Sequence, residues 1–312
     1  MTPPFLQVAE IWAPEPTDTF LELVAGSYGP HHEFRATSRD RQYARGEGLP
    51  GRIWSTGQAT VLNHFRGGSG FQRAEAAERA RLGAGLGLPI LHGGRTVAVV
   101  VLLCGEATFT PGALEVWGQE DGDTLKLQSG YYGDFDSFRR LSAAVRFERG
   151  AGLPGRAWSS QLPELLPNVS LSDSFIRAAA ALSFDLTTGL SWPCYGTTPS
   201  IAVMLGTKST PIARGVEVWV PADKKEDKNT LVLRAAEYRD VPPVMALEPG
   251  ATVRSGEGFL GQAYVEGMPQ VIESADGFDS RTRHAFACGI NRGIVIPIIA
   301  EDSVRAVLAL YS

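Results

Sequence analysis

Cysteine is scarce in this chain of 312 residues, and Cys104, Cys194 and Cys288 are the only three. Their odd number and wide spacing exclude a disulfide framework and predict free thiols in a reducing compartment. There is no C-x-x-C, and the nearest histidines, His92 to Cys104 and His284 to Cys288, bring too few further ligands for zinc. No metal site is therefore expected. Basic residues are not clustered either. With a net charge of -5 and no long Lys/Arg run, the chain lacks the footprint of a protein that grips nucleic acid or an anionic membrane through charge. Long apolar runs are missing as well: "TVAVVVLLCG" has about half of the ~20 residues of a membrane span, and its β-branched character predicts a buried strand. The N-terminal "MTPPFLQVAEIWAPEP" has no basic n-region followed by an apolar core, so a soluble, cytoplasmic protein is expected.

Glycine, by contrast, is abundant and patterned. "GEGLPG" at Gly46, Gly48 and Gly51 is formally the G-x-G-x-x-G of a dinucleotide loop, but the pattern returns at Gly150, Gly152 and Gly155 and again at Gly256, Gly258 and Gly261. The steps are 104 and 106 residues. A phosphate loop would need an apolar strand before it and free amides within it. Here "QYARG" and "RFERG" carry charge up to the first glycine, and Pro50 and Pro154 each remove an amide, though the third copy has Leu260 there. The structural reading is preferred: a tight turn with proline in the first turn of a helix.

Other landmarks keep the same step. Glu10-Ile11-Trp12, Glu115-Val116-Trp117 and Glu217-Val218-Trp219 each precede a polar turn and an alternating run, which reads as a hairpin with one buried face. After the glycines come a short strand, an Ala- and Arg-rich helical stretch ("FQRAEAAERARLG", "FIRAAAALSFDL", "FDSRTRHAFACG"), a strand with an internal proline and a final apolar strand. The proline predicts an edge or bulge. The result is an α+β fold in three tandem units, residues 1–108, 109–210 and 211–312, each an antiparallel sheet with helices packed on it.

The order R-G-x-G-L-P-G-R-x-W in the first two repeats, then a strand, a helix, a G-L/I-x-x-P strand and an A-V strand, resembles the GAF domain family, and the resemblance covers nearly the whole chain, three times. That resemblance implies the fold and leaves function open, because such domains serve as ligand sensors, chromophore carriers, dimerisation modules and occasionally enzymes. The long helices that usually flank these domains and pair in dimers have no room between Cys104 and Glu115 or between Lys208 and Glu217. A helix-mediated dimer is not expected.

No catalytic constellation emerges. The three cysteines fall at different points of their repeats, whereas the GAF-type methionine sulfoxide reductases use several in one pocket, so buried, inert thiols are expected. Bilin attachment in phytochrome-like GAF domains uses a Cys-His pair, which is absent, and Cys288 follows Ala287. The spaced Asn-Lys, Phe and Asp-Glu signature of cyclic-nucleotide-binding members is missing too. No cofactor is implied. His31-His32-Glu33 is matched in the second repeat by Phe135 and Asp136, which favours a solvated amphipathic turn over a metal site. The tryptophans read chiefly as core, but Phe175, Trp192 and Cys194 are candidates for lining a ligand pocket in the second repeat.

The expected function is a regulatory or sensory module that binds a small molecule and acts through contacts with another protein. The alternative is a non-sensing structural or assembly subunit of degenerate repeats; a GAF-type thiol reductase is a weaker third.

Overall fold

The computed structural model describes residues 3–120, 122–222, 229–239, 247–273 and 292–312. The first repeat runs β1 (Leu6–Pro14), β2 (Leu21–Ser27), α1 (His32–Arg39), β3 (Gln42–Tyr43), α2 (Gly48–Thr56), β4 (Thr60–Leu62), α3 (Ala74–Arg79), β5 (Leu82–His92) and β6 (Arg95–Gly105). The second repeats this order as β7 (Gly112–Gln119), β8 (Thr124–Tyr131), α4 (Asp136–Ala144), β9 (Phe147–Glu148), α5 (Gly152–Ser160), β10 (Glu164–Pro167), a 3-10 turn (Val169–Leu171), α6 (Ala178–Leu182), β11 (Leu186–Cys194) and β12 (Ser200–Thr207). In the third are β13 (Gly215–Pro221), β14 (Thr230–Tyr238), β15 (Thr252–Arg254), α7 (Gly258–Glu266), β16 (Gln270–Ile272), β17 (Gly293–Ala300) and β18 (Ser303–Tyr311). The helical stretch expected at Phe278 to Gly289, with His284 and Cys288, lies outside the described residues.

Each repeat forms one six-stranded antiparallel sheet of the same order, β3-β2-β1-β6-β5-β4 in the first. A bulge sits at the same place in all three, between Ile11 and Trp12, Val116 and Trp117, and Val218 and Trp219. One extra residue on the partner strand curls the sheet there. The internal prolines sit where expected: β4 pairs with β5 only from Gly85 to Gly87, so the missing amide of Pro89 breaks no ladder bond on that side.

The glycine motif makes one turn three times. Gly46 and Gly48 lie at φ +83° and +59°, Gly150 and Gly152 at +80° and +60°, and Gly256 and Gly258 at +79° and +58°. The third glycine is required by contact: a Cβ on Gly51 would collide with the Ala44 carbonyl oxygen, one on Gly155 with that of Glu148, and one on Gly261 with that of Arg254. The amides that a phosphate would need are already used, since Gly46 N–H donates to the Gly51 carbonyl at 2.8 Å and Gly150 N–H to Gly155 at 2.8 Å. The turn is structural.

Both faces of each sheet are covered. On the inner face, under the helices, Val99, Val101 and Leu103 join Trp12, Leu49 and Ile53. On the outer face, Val100, Leu102 and Cys104 join Leu190, Trp192, Ile294, Ile296 and Leu308 in a core that all three repeats share. Burial on both sides explains why the last strand of the first repeat is continuously apolar instead of alternating. The repeats close into a ring: β4 packs on β7 and β8, β10 on β14, and β16 on β1 and β2. The proline-bearing segments Leu88 to Leu91, Trp192 to Tyr195 and Ile296 to Ile299 meet around one small concavity at its centre. Polar ties cross every junction: Ser129 Oγ accepts from Val61 N–H at 3.0 Å, Thr188 Oγ1 donates to Glu237 at 2.7 Å, and Asp302 accepts from Gly93 N–H at 2.7 Å.

Candidate functional site

The charged residue of each E-x-W motif is buried on the inner face of its sheet. Glu10, Glu115 and Glu217 are at most 1% exposed, and alternation along the strand turns each inward with its tryptophan. A buried carboxylate must be paired. Glu10 accepts from Trp12 Nε1 at 3.1 Å and Tyr28 Oη at 2.9 Å, and Arg73 grips it bidentately, Nη1 to Oε1 at 2.5 Å and Nη2 to Oε2 at 2.8 Å. Arg73 also donates to Ser38 Oγ, which donates in turn to the Phe34 carbonyl at 3.0 Å. Phe34, Phe71 and Trp12 wall the guanidinium, with ring centres 4.6, 5.2 and 5.6 Å from its carbon.

The second repeat rebuilds this cluster residue for residue. Trp117 Nε1 and Tyr132 Oη each donate to Glu115 at 2.9 Å. Arg177 is bidentate on the same carboxylate and donates to Ser142 Oγ at 2.5 Å, within a cage of Phe138, Phe175, Trp117 and Phe147. In the third, Glu217 accepts from Trp219 at 2.8 Å, Tyr238 at 2.6 Å and Tyr311 at 3.1 Å.

Electrostatics follow from the pairing. Burial alone would raise the Glu10 and Glu115 carboxyls, but the charge and hydrogen bonds of Arg73 and Arg177 outweigh it and hold both below the ordinary 4.5. Burial, then the neighbouring carboxylate, pushes Tyr28 and Tyr132 above their usual 10. Both charges of each pair are thus fixed and mutually satisfied. In each arginine, Nε is buried without an acceptor. The cluster ties α1, α3 and the sheet together, and in the first two repeats the chain's own guanidinium fills the space between sheet and helices.

Phe175, Trp192 and Cys194 do not meet in one cavity. Phe175 belongs to the inner face as a wall of the Arg177 cage, whereas Trp192 and Cys194 point to the opposite face, into the shared core. Burial lifts the Cys104 thiol well above its usual value and the Cys194 thiol to about 12. Cys288 lies outside the described residues. The segment expected as a solvated turn at His31 to Glu33 is instead the start of an eight-residue helix, because Phe34 and Ser38 face inward one turn apart. His31 shares a hydrogen bond with Gln7 at 3.1 Å, and burial, then Arg292 and His32, lowers its pKa. Among the described residues no group of three or more His, Cys, Asp or Glu could hold a metal, and no helix is long and apolar enough to cross a membrane.

The sequence expectations passed over Arg73 and Arg177. The signal was available: F-x-R recurs at Phe71 and Phe175, 61 and 60 residues after Glu10 and Glu115, and a buried acid that recurs from repeat to repeat needs a base that recurs with it.

Residues 6–119 match the model of the GAF domain. The first repeat is a GAF domain. With one sheet order throughout, the chain comprises three tandem GAF-like domains of α+β class. Among solved structures, the GAF domain of A. aeolicus nlh2 in an inactive state is 18% identical, with a TM-score of 0.26 over 32% of this chain and 61% of its own. NreA from Staphylococcus aureus, mutated in its nitrate-binding site, is 17% identical, with a TM-score of 0.27 over 33% of this chain and 78% of its own. The GAF-B domain of DevS from Mycobacterium smegmatis is 24% identical, with a TM-score of 0.23 over 31% and 59%. The chain therefore spans about three fifths of the first and third of these GAF structures. Among curated proteins none matches it.

Proposed function

We propose that this chain is a non-sensing assembly subunit, a rigid block of GAF-like domains that acts through contacts with another protein. The supporting observation is the pair Glu10–Arg73 and its copy Glu115–Arg177, which fill the space between sheet and helices in the first two domains with fully buried side chains. A sensor of small molecules needs concave, accessible space there. The closed ring supports the same reading, since relative motion of the domains would open a common apolar core.

Native mass spectrometry of the purified full chain tests it. The bare chain mass is expected; a stoichiometric small molecule retained through purification and released on denaturation would return the reading to ligand sensing.

A further inference from the structure

The repeats serve as references for one another, and a space that is open in the first domain is filled in the second. The two backbones coincide there. His31 and Phe135 stand directly before their helices at the same φ of -86° and ψ of 55°, Gly29 and Gly133 lie at φ +52° and +50°, and Arg81 and Asp185 at +53° and +51°. These fixed points pair His31 with Phe135 and Ala80 with Phe184. In the second domain the two phenylalanines meet across the gap between the start of α4 and the end of α6, Phe135 buried and Phe184 half-buried, with ring centres 4.9 Å apart and planes tilted by 38°. In the first domain Phe184 has shrunk to the methyl group of Ala80, and a groove of about 490 Å³ runs between α1 and α3.

The lining indicates what the groove takes. Phe34 and Ala76, both buried, and half-buried Ala80 form its apolar part, as Phe138, Ala180 and Phe184 do in the second domain. Glu33 and Arg79, the acid and the base of its rim, face each other at 3.8 Å, so neither calls for an ionic partner. His31 is tethered to Gln7 at 3.1 Å, and burial, then Arg292 and His32, keep its pKa below the usual 6.5, so at pH 7 a neutral imidazole lines the groove. We propose that the groove between α1 and α3 takes an aromatic side chain of a partner protein, its ring over Ala80 and beside His31, as Phe184 lies beside Phe135 in the second domain. The same backbone and the same floor accept a phenyl ring in the sister copy, and aromatic pairs of tilted or offset geometry gain beyond the area they bury. Single aromatic anchors seated in such pockets also dominate the energetics of interfaces. The inference rests on the assembly reading above, which supplies the partner.

The test uses the full chain and a blocked Ala-Phe-Ala tripeptide whose central residue is 4-fluorophenylalanine, followed by fluorine NMR. The chain is expected to shift and broaden the fluorine line in a saturable way, and the unlabelled Phe tripeptide should displace the probe at about fivefold lower concentration than versions with Leu or Glu at the centre. His31→Phe with Ala80→Phe gives the first domain the second domain's own rings. This variant should bind the probe about tenfold more weakly and melt above the wild type, because the groove is then filled from within. Displacement by the Leu tripeptide as readily as by the Phe one, binding unchanged in the filled variant, or a filled variant that melts below the wild type would each overturn the proposal. Free benzoate or indole displacing the probe better than the Phe tripeptide does would overturn it too, by assigning the groove to a small aromatic molecule. A small molecule retained in native mass spectrometry unseats the assembly reading instead, while the tripeptide competition still decides whether the groove selects a ring.

Discussion

Arg73 grips Glu10 with both of its terminal nitrogens, although 63 residues of chain separate them and neither side chain meets solvent. Removing one partner strands the other charge in the core. Arg73→Ala is expected to cost about 3–5 kcal/mol, and replacing both residues by apolar ones of similar volume (Arg73→Met with Glu10→Leu) should recover most of it. Urea unfolding of the three proteins checks this, and a double variant no better than the single would refute it.

Acid should unfold the protein through the same pairs. Glu10 and Glu115 are held below 4.5 in the fold, so their contribution is fully present above about that pH and is lost as pH falls further towards their folded values. Tyr28 and Tyr132 act at the other end, where stability falls as pH rises past 10. Melting temperature followed from pH 7 to 3 should drop below 4.5. Glu10→Gln with Glu115→Gln should start lower and fall less steeply; an equally steep fall would assign the acid limb elsewhere.

The glycines of the repeated turn are required for different reasons. At Gly46 an added Cβ finds open space, so alanine there costs only the positive φ, about 1 kcal/mol. At Gly51 it meets the Ala44 carbonyl oxygen, so backbone must move, and Gly51→Ala should cost several times more. Thermal unfolding of the two variants should rank them in that order, and equal melting temperatures would contradict it.

The thiols of Cys104 and Cys194 should be inert in the native state, being buried in the shared core and reluctant to ionise. In a Cys288→Ser background, a thiol reagent should label neither until denaturant is added, then both. Rapid native labelling of either would show that the ring opens.

Deleting residues 211–312 removes one side of the ring and uncovers the outer faces of β5, β6, β11 and β12. The remaining two domains are expected to aggregate instead of giving a soluble monomer in sedimentation. A well-behaved two-domain fragment would show that the shared core is dispensable.

The hairpins, the turns and the repeat were legible because each rests on a local constraint repeated three times, such as glycine at positive φ or an alternating run, whereas the order of the strands in the sheet has no such local signal. The cluster was only half legible: Glu10 and Trp12 stand two residues apart, while Arg73 reaches them only through the crossing of the chain from α3 back to β1. Phe175 and Trp192 look alike in sequence as aromatics of one repeat, yet strand alternation and the closing of the ring send them to opposite faces. No local pattern reports the outer faces' common burial, except the uninterrupted apolar run of β6, whose second buried side belongs to other domains. The helix over His32 to Arg39 was obscured for a similar reason, since its hydrophobic anchor Phe34 finds its contacts only in the folded core.

A linear array of repeats has two ends, each with an uncovered neighbour face that needs a capping unit. Here β16 of the last repeat packs on β1 and β2 of the first, so there are no ends to cap. Such a closed set of three cannot be lengthened by one more copy without breaking a junction, and none of its members can be lost alone. Because the three copies are joined in one chain, each is also free to change its outer helices independently, which identical subunits of a trimer cannot do.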